Sequence, residues 1–232
     1  MARAANLWIV QTTIATPVGE ARLTLFPASG RCRAAVVLGH GAGGGVESPD
    51  LQALAAALPK AGVEVALVEQ PWRVAGKRIA PAPKTLDVAW RAVLTWWNED
   101  AATEGYGSGG SVPVIVGGRS AGARVACRAG SDTGAVGVLA LAFPLHPPGK
   151  PEKSRADELT ATGLPTLVVQ GGADPFGTPE EFPALPSSHR LVALAAGGHD
   201  FAVRKDQVPV LGDITEAVGE WITSVLFDNP RA

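Results

Sequence analysis

The sequence has few cysteines, little net charge and no long apolar run. Cys32 and Cys127 are its only cysteines among 232 residues, which is too few for a disulfide framework. The formal net charge of −2 gives no reason to expect nucleic acid or an anionic membrane as a partner. No apolar run approaches the length of a membrane span, and the short apolar run near the N-terminus is too short for a signal peptide. A cytoplasmic location is therefore the default expectation.

Charged residues are also few, at 18%, whereas hydrophobic residues make up 46% of the chain. This balance is typical of a globular protein and excludes a disordered one. A chain of 232 residues is long enough to form one large α/β domain with a substantial core. Neither an internal repeat nor a linker is evident, so we predict a single domain over residues 1–232.

Short apolar runs alternate with helix-compatible segments along the chain. The first predicted helix starts at Ser48-Pro49, with Ser48 as N-cap, and stops at Gly62. Further helices are predicted over 85–99, from 121 to a break at Gly130, and over 213–226. A capping box at 178–181 is expected to open a short helix. Predicted strands cover 7–13, 21–26, 34–38, 63–68, 112–116, 134–141, 164–169 and 190–195. This alternation predicts an α/β fold, with a mostly parallel sheet covered by helices on both faces. The first two strands are expected to form an antiparallel edge hairpin.

One segment combines a strand, a glycine-rich turn and a helix around a single serine. Gly118-Arg119-Ser120-Ala121-Gly122 fits the G-x-S-x-G pattern of a nucleophile elbow, in which glycines let the chain turn sharply without Cβ clashes. Ten serines and a glycine fraction of about 0.12 give roughly 0.15 matches by chance, so the pentapeptide alone is weak support. The buried strand before it and the Ala-rich segment after it supply the context that the motif requires. Ser120 is therefore the candidate nucleophile.

Two later loops can supply the base and the acid that a serine nucleophile needs. A serine hydroxyl requires a base to take its proton and a third group to orient that base. Asp174 follows one predicted strand in the loop QGGADPFG, and His199 follows the next in AGGHDF. Both positions agree with the chain order Ser, acid, His of this kind of fold. Asp200 is interpreted as a bystander and His189 as a structural residue.

The glycine-rich segment after the strand 34–38 is the candidate source of oxyanion donors. A tetrahedral intermediate needs at least two such donors. The backbone N–H of Ala121 is expected to be one, and that of Ala42 the other, with Gly41 as the alternative. His40 is predicted to brace this loop rather than to act as a base.

Four segments together resemble the α/β-hydrolase superfamily, namely 38–43, 118–122, 171–177 and 198–201. They are similar to its small, cap-less, dienelactone-hydrolase-like branch, which contains bacterial hydrolases and a subunit of a histone acetyltransferase complex. Residues 143–151, reading FPLHPPGKP, look like the signature of that sub-group, and the resemblance covers about residues 20–226. It implies the triad Ser120–Asp174–His199, no cofactor and no metal. Ser120 replaces the cysteine of dienelactone hydrolases, which argues against dienelactone as the substrate.

Three further side chains are candidates for contact with a substrate, together with His40. The interval 143–163 is too short for a cap domain, so the site should be open or covered only by loops. His146 in the PLHPPGK loop, and Trp72 and Arg73 in the loop after the strand 63–68, are predicted to line it. The expected partner is a small acyl compound, and the sequence leaves the oligomeric state open.

Two other functions compete with a serine esterase. Gly39-x-Gly41-x-x-Gly44 with Glu69 matches a dinucleotide-binding pattern, but helix signals begin only at Ser48-Pro49, after the glycines. The second alternative is a hydrolase fold used as a binding module without turnover. A pure scaffold does not need serine, aspartate and histidine at these positions, and we therefore predict an enzyme that cleaves small esters through an acyl-enzyme.

Overall fold

The structure is a computed structural model that describes residues 9–228. Its centre is an eight-stranded sheet in the order β1-β2-β4-β3-β5-β6-β7-β8. The strands are β1 Val10–Thr16, β2 Gly19–Phe26, β3 Ala34–Gly39, β4 Val63–Glu69, β5 Val114–Arg119, β6 Gly137–Leu141, β7 Thr166–Gln170 and β8 His189–Ala193. The β1–β2 and β2–β4 pairs are antiparallel, and all other pairs are parallel. The predicted sheet and its edge hairpin are confirmed; the predicted strand start at residue 7 lies outside the described residues.

Helices cover both faces of this sheet. They are α1 Pro49–Ala57, α2 Pro71–Val74, α3 Pro83–Glu99, α4 Ala121–Ala129, α5 Ala156–Thr160 and α6 Leu211–Asp228. One apolar core lies between the sheet and α3 and α4, and includes Trp90 and Trp97. The other lies between the opposite face and α1 and α6, and includes Leu54 and Trp221. Because both faces are covered, the central strands β3, β5, β6 and β7 are buried at every position, as parallel strands in such a sheet must be.

Local chemistry explains where the element bounds differ from the predicted ones. The strand β6 begins at Gly137 rather than at 134, because a 3₁₀ turn over 131–133 and a left-handed Gly134 precede it. The loop after β4 was predicted to be irregular, yet Pro71 starts the short helix α2, where its missing N–H is not needed. Ser48 lies at the N-cap of α1, but its hydroxyl donates to the Gly45 carbonyl and does not cap the helix.

Candidate active site

The carboxyl ends of three parallel strands bring together the serine, the histidine and the aspartate that the sequence singled out. His199 Nε2 lies 2.8 Å from Ser120 Oγ, and His199 Nδ1 lies 2.9 Å from Asp174 Oδ2. Ser120 directly follows β5, while the other two residues lie in the loops after β7 and β8. The arrangement can pass a proton from the hydroxyl to the imidazole, with the carboxylate fixing the ring.

Ser120 has the strained backbone that the elbow motif predicts. Its φ is 53° and its ψ is −114°. Its N–H donates a hydrogen bond to the Leu141 carbonyl at 2.9 Å. A Cβ at Gly118 would lie 2.3 Å from the Gly39 carbonyl oxygen, and one at Gly122 would lie 2.5 Å from the same atom. Only glycine at both positions lets the turn pack against the end of β3. The steric reason for the motif therefore holds in this chain.

Asp174 is fully buried and is held by three donors. Its Oδ2 accepts from Gln170 Nε2 at 2.9 Å as well as from the histidine ring, and its Oδ1 accepts from the Phe176 N–H at 2.8 Å. These bonds offset the desolvation of the carboxylate. They also direct Oδ2 of Asp174 at Nδ1 of His199, which fixes the tautomer with the proton on Nδ1.

The acid loop and the histidine loop are bound to each other through glycines. The Ala173 N–H donates to the Gly197 carbonyl at 3.0 Å. A Cβ at Gly171 would lie 2.4 Å from that same carbonyl oxygen, so the close approach requires glycine there. The ring of Phe176 lies on that of His199, with centroids 4.1 Å apart. These contacts hold the two loops together, and the spacing between acid and base is set by them.

Several backbone N–H groups beside Ser120 have no acceptor among residues 9–228. They include those of Ala42 and Ala121, which line the same cleft as the serine. Ala121 is the first residue of α4, so its N–H has no helical partner and carries the positive end of the helix dipole. The N–H of Gly41 also lacks an acceptor among these residues, and a Cβ there would approach Ser120 Cβ at 3.3 Å. The geometry leaves Ala42 and Ala121 able to bind a developing negative charge.

His40 is a buried brace for this loop. Its Nδ1–H donates to the Gly41 carbonyl at 2.8 Å, and its Nε2 accepts from the Gln70 N–H at 3.1 Å. Burial lowers the pKa of His40, which keeps the ring neutral in this role. It does not line the cleft of Ser120. The bracing role predicted for His40 agrees with these contacts, and its contact with a substrate stays a prediction.

The other three predicted substrate contacts also lie away from the cleft. His146 is buried, with Nδ1 3.0 Å from the Pro147 carbonyl oxygen and Nε2 3.1 Å from Glu181 Oε1, so it fastens its own loop. Trp72 packs beside the ring of His40, and Arg73 pairs with Glu47 at the surface. None of these three is among the residues that line the cleft, and their predicted contacts with a substrate stay predictions. Each has a closer partner within the protein.

Sequence reasoning missed a buried ion pair that is connected to the histidine loop. Arg119 precedes the nucleophile, and its Nη2 donates to the His199 carbonyl at 2.5 Å. Its Nε lies 3.2 Å from Oδ2 of Asp50, a fully buried carboxylate in the first turn of α1. Burial raises the pKa of Asp50, and the charge of Arg119 opposes this shift. Its place as the first variable residue of G-x-S-x-G, directly before the serine, was the only sequence signal for this arginine.

The cleft itself has a volume of about 580 Å³ and opens to solvent. Its walls include two arginines that the sequence analysis did not single out, Arg124 in α4 and Arg155 just before α5. The remaining lining residues are Ala42, Gly43, Arg119, Ser120, Ala121, Pro144, Phe176, His199 and Asp200. Arg155 follows the PLHPPGK loop within a few residues of sequence. This closeness to a loop expected beside the cleft was the available signal that Arg155 could line it.

The described part of the chain gives little support to other kinds of site. Across residues 9–228, no group of three or more His, Cys, Asp or Glu side chains is placed to hold a metal ion. The helix after the glycines of 39–44 starts only at Pro49, so its N-terminus lies outside the dinucleotide pattern. Over the same residues, none of the helices combines the length and apolar character that a membrane span requires.

A strand–elbow–helix followed by an acid and a histidine after later parallel strands is the arrangement of the α/β-hydrolase fold. The sequence matches the model of the alpha/beta hydrolase domain family over residues 32–223, and the chain belongs to that family. This membership confirms the predicted resemblance and fold. No curated protein is detectably similar in sequence.

Solved structures of the same fold cover nearly the whole chain at low sequence identity. A lidless α/β serine hydrolase from Xanthomonas campestris is 19% identical, with a TM-score of 0.73, and the match covers 93% of this chain and 94% of that one. A dienelactone hydrolase from Anabaena variabilis is 19% identical, with a TM-score of 0.69 and coverage of 94% and 97%. Carboxyl esterase 2 from Tuber melanosporum is 14% identical, with a TM-score of 0.68 and coverage of 97% and 88%. At these identities the neighbours show that the fold is shared.

Proposed function

We propose that the protein is a serine hydrolase that cleaves small esters through a covalent acyl-enzyme. The observation that carries this proposal is the hydrogen-bonded series from Ser120 Oγ through His199 to Asp174, with heavy-atom distances of 2.8 and 2.9 Å, at the floor of an open cleft. Membership in the hydrolase family and the serine hydrolases and esterases among the structural neighbours support it.

In the acylation half of the reaction, Ser120 Oγ attacks the ester carbonyl while His199 Nε2 takes the hydroxyl proton. The oxyanion that forms accepts hydrogen bonds from the N–H groups of Ala42 and Ala121. Asp174 holds the imidazolium in place and stabilises its charge without taking the proton. The intermediate then expels the alcohol, which receives its proton from His199, and the acyl group remains on the serine.

Deacylation repeats these steps with water. His199 removes a proton from a water molecule, and the resulting hydroxide attacks the acyl carbonyl. The same two N–H groups bind the second oxyanion, and its collapse releases the acid and returns the proton to Ser120 Oγ. Removal of one oxyanion donor typically raises the barrier by about 2.7–4 kcal/mol, so two unbonded N–H groups are a substantial part of this mechanism.

Replacement of Ser120 by alanine tests the proposal. Turnover of short p-nitrophenyl esters should fall by a factor of about 10⁴–10⁶, because the nucleophile is lost while the cleft is kept. Intact-mass spectrometry after a fluorophosphonate probe should give one adduct on the wild type and none on Ser120→Ala. Ser131→Ala is the matched control, since this exposed serine lies after α4 and its removal should leave the adduct in place.

A folded wild type that gives no adduct would contradict the proposal. In that case the fold serves as a binding module without turnover, and ester hydrolysis should be absent as well. Full turnover by Ser120→Ala would instead assign the chemistry to another residue.

A further inference from the structure

We propose that Arg155 forms an anion subsite in the Ser120 cleft, and that the preferred substrates are esters that carry a carboxylate. This inference rests on the proposed function and names the substrate class for the same site. Arg155 and Ser120 both line the cleft of about 580 Å³, where any ester must bind.

The charges of the neighbouring arginines are already neutralised by acids. Arg124 binds Glu158 through two hydrogen bonds, at 2.7 and 2.5 Å. Arg128 bridges Glu158 at 2.9 Å and Asp87 at 2.6 Å. Burial opposes ionisation of Glu158, yet the hydrogen bonds and charges of both arginines hold its pKa below the usual value. The two cations and two anions of this network cancel.

Arg155 lies beside that network without an acid of its own. Among residues 9–228, no carboxylate oxygen lies within 4 Å of its guanidinium. Burial and the neighbouring charge of Arg124 lower the pKa of Arg155, while the charge of Glu158 opposes this shift. A half-buried guanidinium without an anion in contact is free to bind one that a ligand supplies. The exposed Asp200 also lines the cleft, but its Oδ1 accepts from the Ala202 N–H beside the histidine.

The backbone holds this guanidinium ready for a ligand. Arg155 Nη1 donates to the Pro144 carbonyl at 2.8 Å, and the Arg155 N–H donates to the Leu145 carbonyl at 2.7 Å. Pro144 lines the cleft three residues after Leu141, whose carbonyl accepts from the Ser120 N–H. The remaining guanidinium N–H groups have no acceptor among the described residues, and their planar array suits a carboxylate. The guanidinium is therefore pre-organised in the cleft that contains the nucleophile.

Matched ester pairs test the subsite on the wild type. On the acyl side, mono-p-nitrophenyl adipate is compared with its methyl ester; on the alcohol side, 4-acetoxybenzoate is compared with methyl 4-acetoxybenzoate. At least one acidic ester should have a higher kcat/KM than its neutral partner. In Arg155→Gln the acidic-to-neutral ratio should fall about 10- to 100-fold, the range of a charge-assisted hydrogen bond. Arg155→Lys should restore part of the ratio.

The control separates a lost subsite from a distorted loop. Arg91→Gln removes an exposed arginine of α3 that pairs with Asp132, and its ratio should match that of the wild type. A distorted loop in Arg155→Gln would lower both members of a pair together and leave the ratio unchanged. An unchanged ratio in both pairs would therefore overturn the subsite while the serine chemistry stands.

Direct binding keeps the two proposals distinguishable. Isothermal titration of Ser120→Ala with adipate and with 4-hydroxybenzoate should show binding of at least one, weakened at least about tenfold in Ser120→Ala/Arg155→Gln. If the wild type labels with a fluorophosphonate but neither carboxylate binds, the subsite is wrong. If the wild type neither labels nor turns over any ester, the proposed function fails, and carboxylate binding that depends on Arg155 would still support the anion site.

Discussion

Replacement of Arg119 by methionine would remove the charge that faces a fully buried carboxylate. The Asp50 side chain has no exposed surface and that of Arg119 is 10% exposed, so solvent screens the pair little. The arginine charge is the largest compensation for the burial of this carboxylate, ahead of the backbone N–H groups of Leu51 and Asp50. Loss of one partner of such a pair typically costs about 3–5 kcal/mol in the free energy of unfolding. Arg119→Met should therefore be destabilised by that amount.

The dependence of the effect on pH and on Asp50 identifies its cause. Burial raises the pKa of Asp50 above the ordinary 3.8, and without Arg119 it should rise further. A carboxyl with a raised folded pKa binds its proton more tightly when folded, so stability falls as pH rises from 3.8 through the folded pKa. As pH falls, the free energy of unfolding of Arg119→Met should rise relative to that of the double variant Asp50→Asn/Arg119→Met. At pH 7 the double variant should be the more stable of the two.

Urea unfolding followed by tryptophan fluorescence at pH 5 and pH 8 measures these differences. Arg91→Met is the surface control, because its ion pair with Asp132 is largely exposed and should contribute less than about 1 kcal/mol. The bond from Arg119 to the His199 carbonyl is also lost, so ester turnover should fall about tenfold even in the more stable double variant. An Arg119→Met variant as stable as the wild type, or a double variant no more stable than the single one at pH 7, would refute this reasoning.

Two further predictions concern the elbow and the histidine brace. Gly122→Ala places a Cβ 2.5 Å from the Gly39 carbonyl oxygen, so it should lower the free energy of unfolding in urea by about 1–3 kcal/mol and weaken probe labelling of Ser120. In the control Gly219→Ala, in α6, the new Cβ meets nothing within 4 Å and should raise that free energy by about 0.4–1 kcal/mol. Equal effects of the two substitutions would contradict the steric account. Because burial lowers the pKa of His40, the stability that the neutral ring contributes above pH 6.5 should be lost as pH falls through the folded pKa. Unfolding curves of His40→Gln between pH 4 and 8 should lack this component. Superimposable pH profiles of the wild type and His40→Gln would argue against it.

The sequence predicted those parts of the candidate site that depend on local chemistry. Ser120 and Asp174 each follow a buried strand, and His199 follows the edge strand β8, all in glycine-containing segments that can be read within about ten residues. Parallel strands place their carboxyl ends on one edge, so the order of strands and loops was enough to expect proximity. The same logic gave Ala42 and Ala121, because one follows a strand end and the other begins a helix. The catalytic roles of these residues, and the single domain over 1–232, stay predictions.

The residues that sequence reasoning missed depend on contacts between distant segments. Asp50 and Arg119 are 69 positions apart and meet because β3 and β5 are neighbours in the sheet. Nothing in the local pattern around Asp50 distinguishes a buried carboxylate from an ordinary acidic residue in the first turn of a helix. Its burial follows from how α1 packs on the sheet.

The loop after β6 shows how tertiary contacts decide which side chain reaches the cleft. The sequence placed this loop beside the cleft and selected His146 as a candidate to line it. In the structure His146 is turned to Pro147 and Glu181, while Arg155 returns to the Pro144 carbonyl and lines the cleft. A side chain whose polar atoms all have partners inside the protein has none left for a substrate, and that competition is decided by tertiary contacts. The arginine left without an acid is therefore the better guide to what the cleft binds.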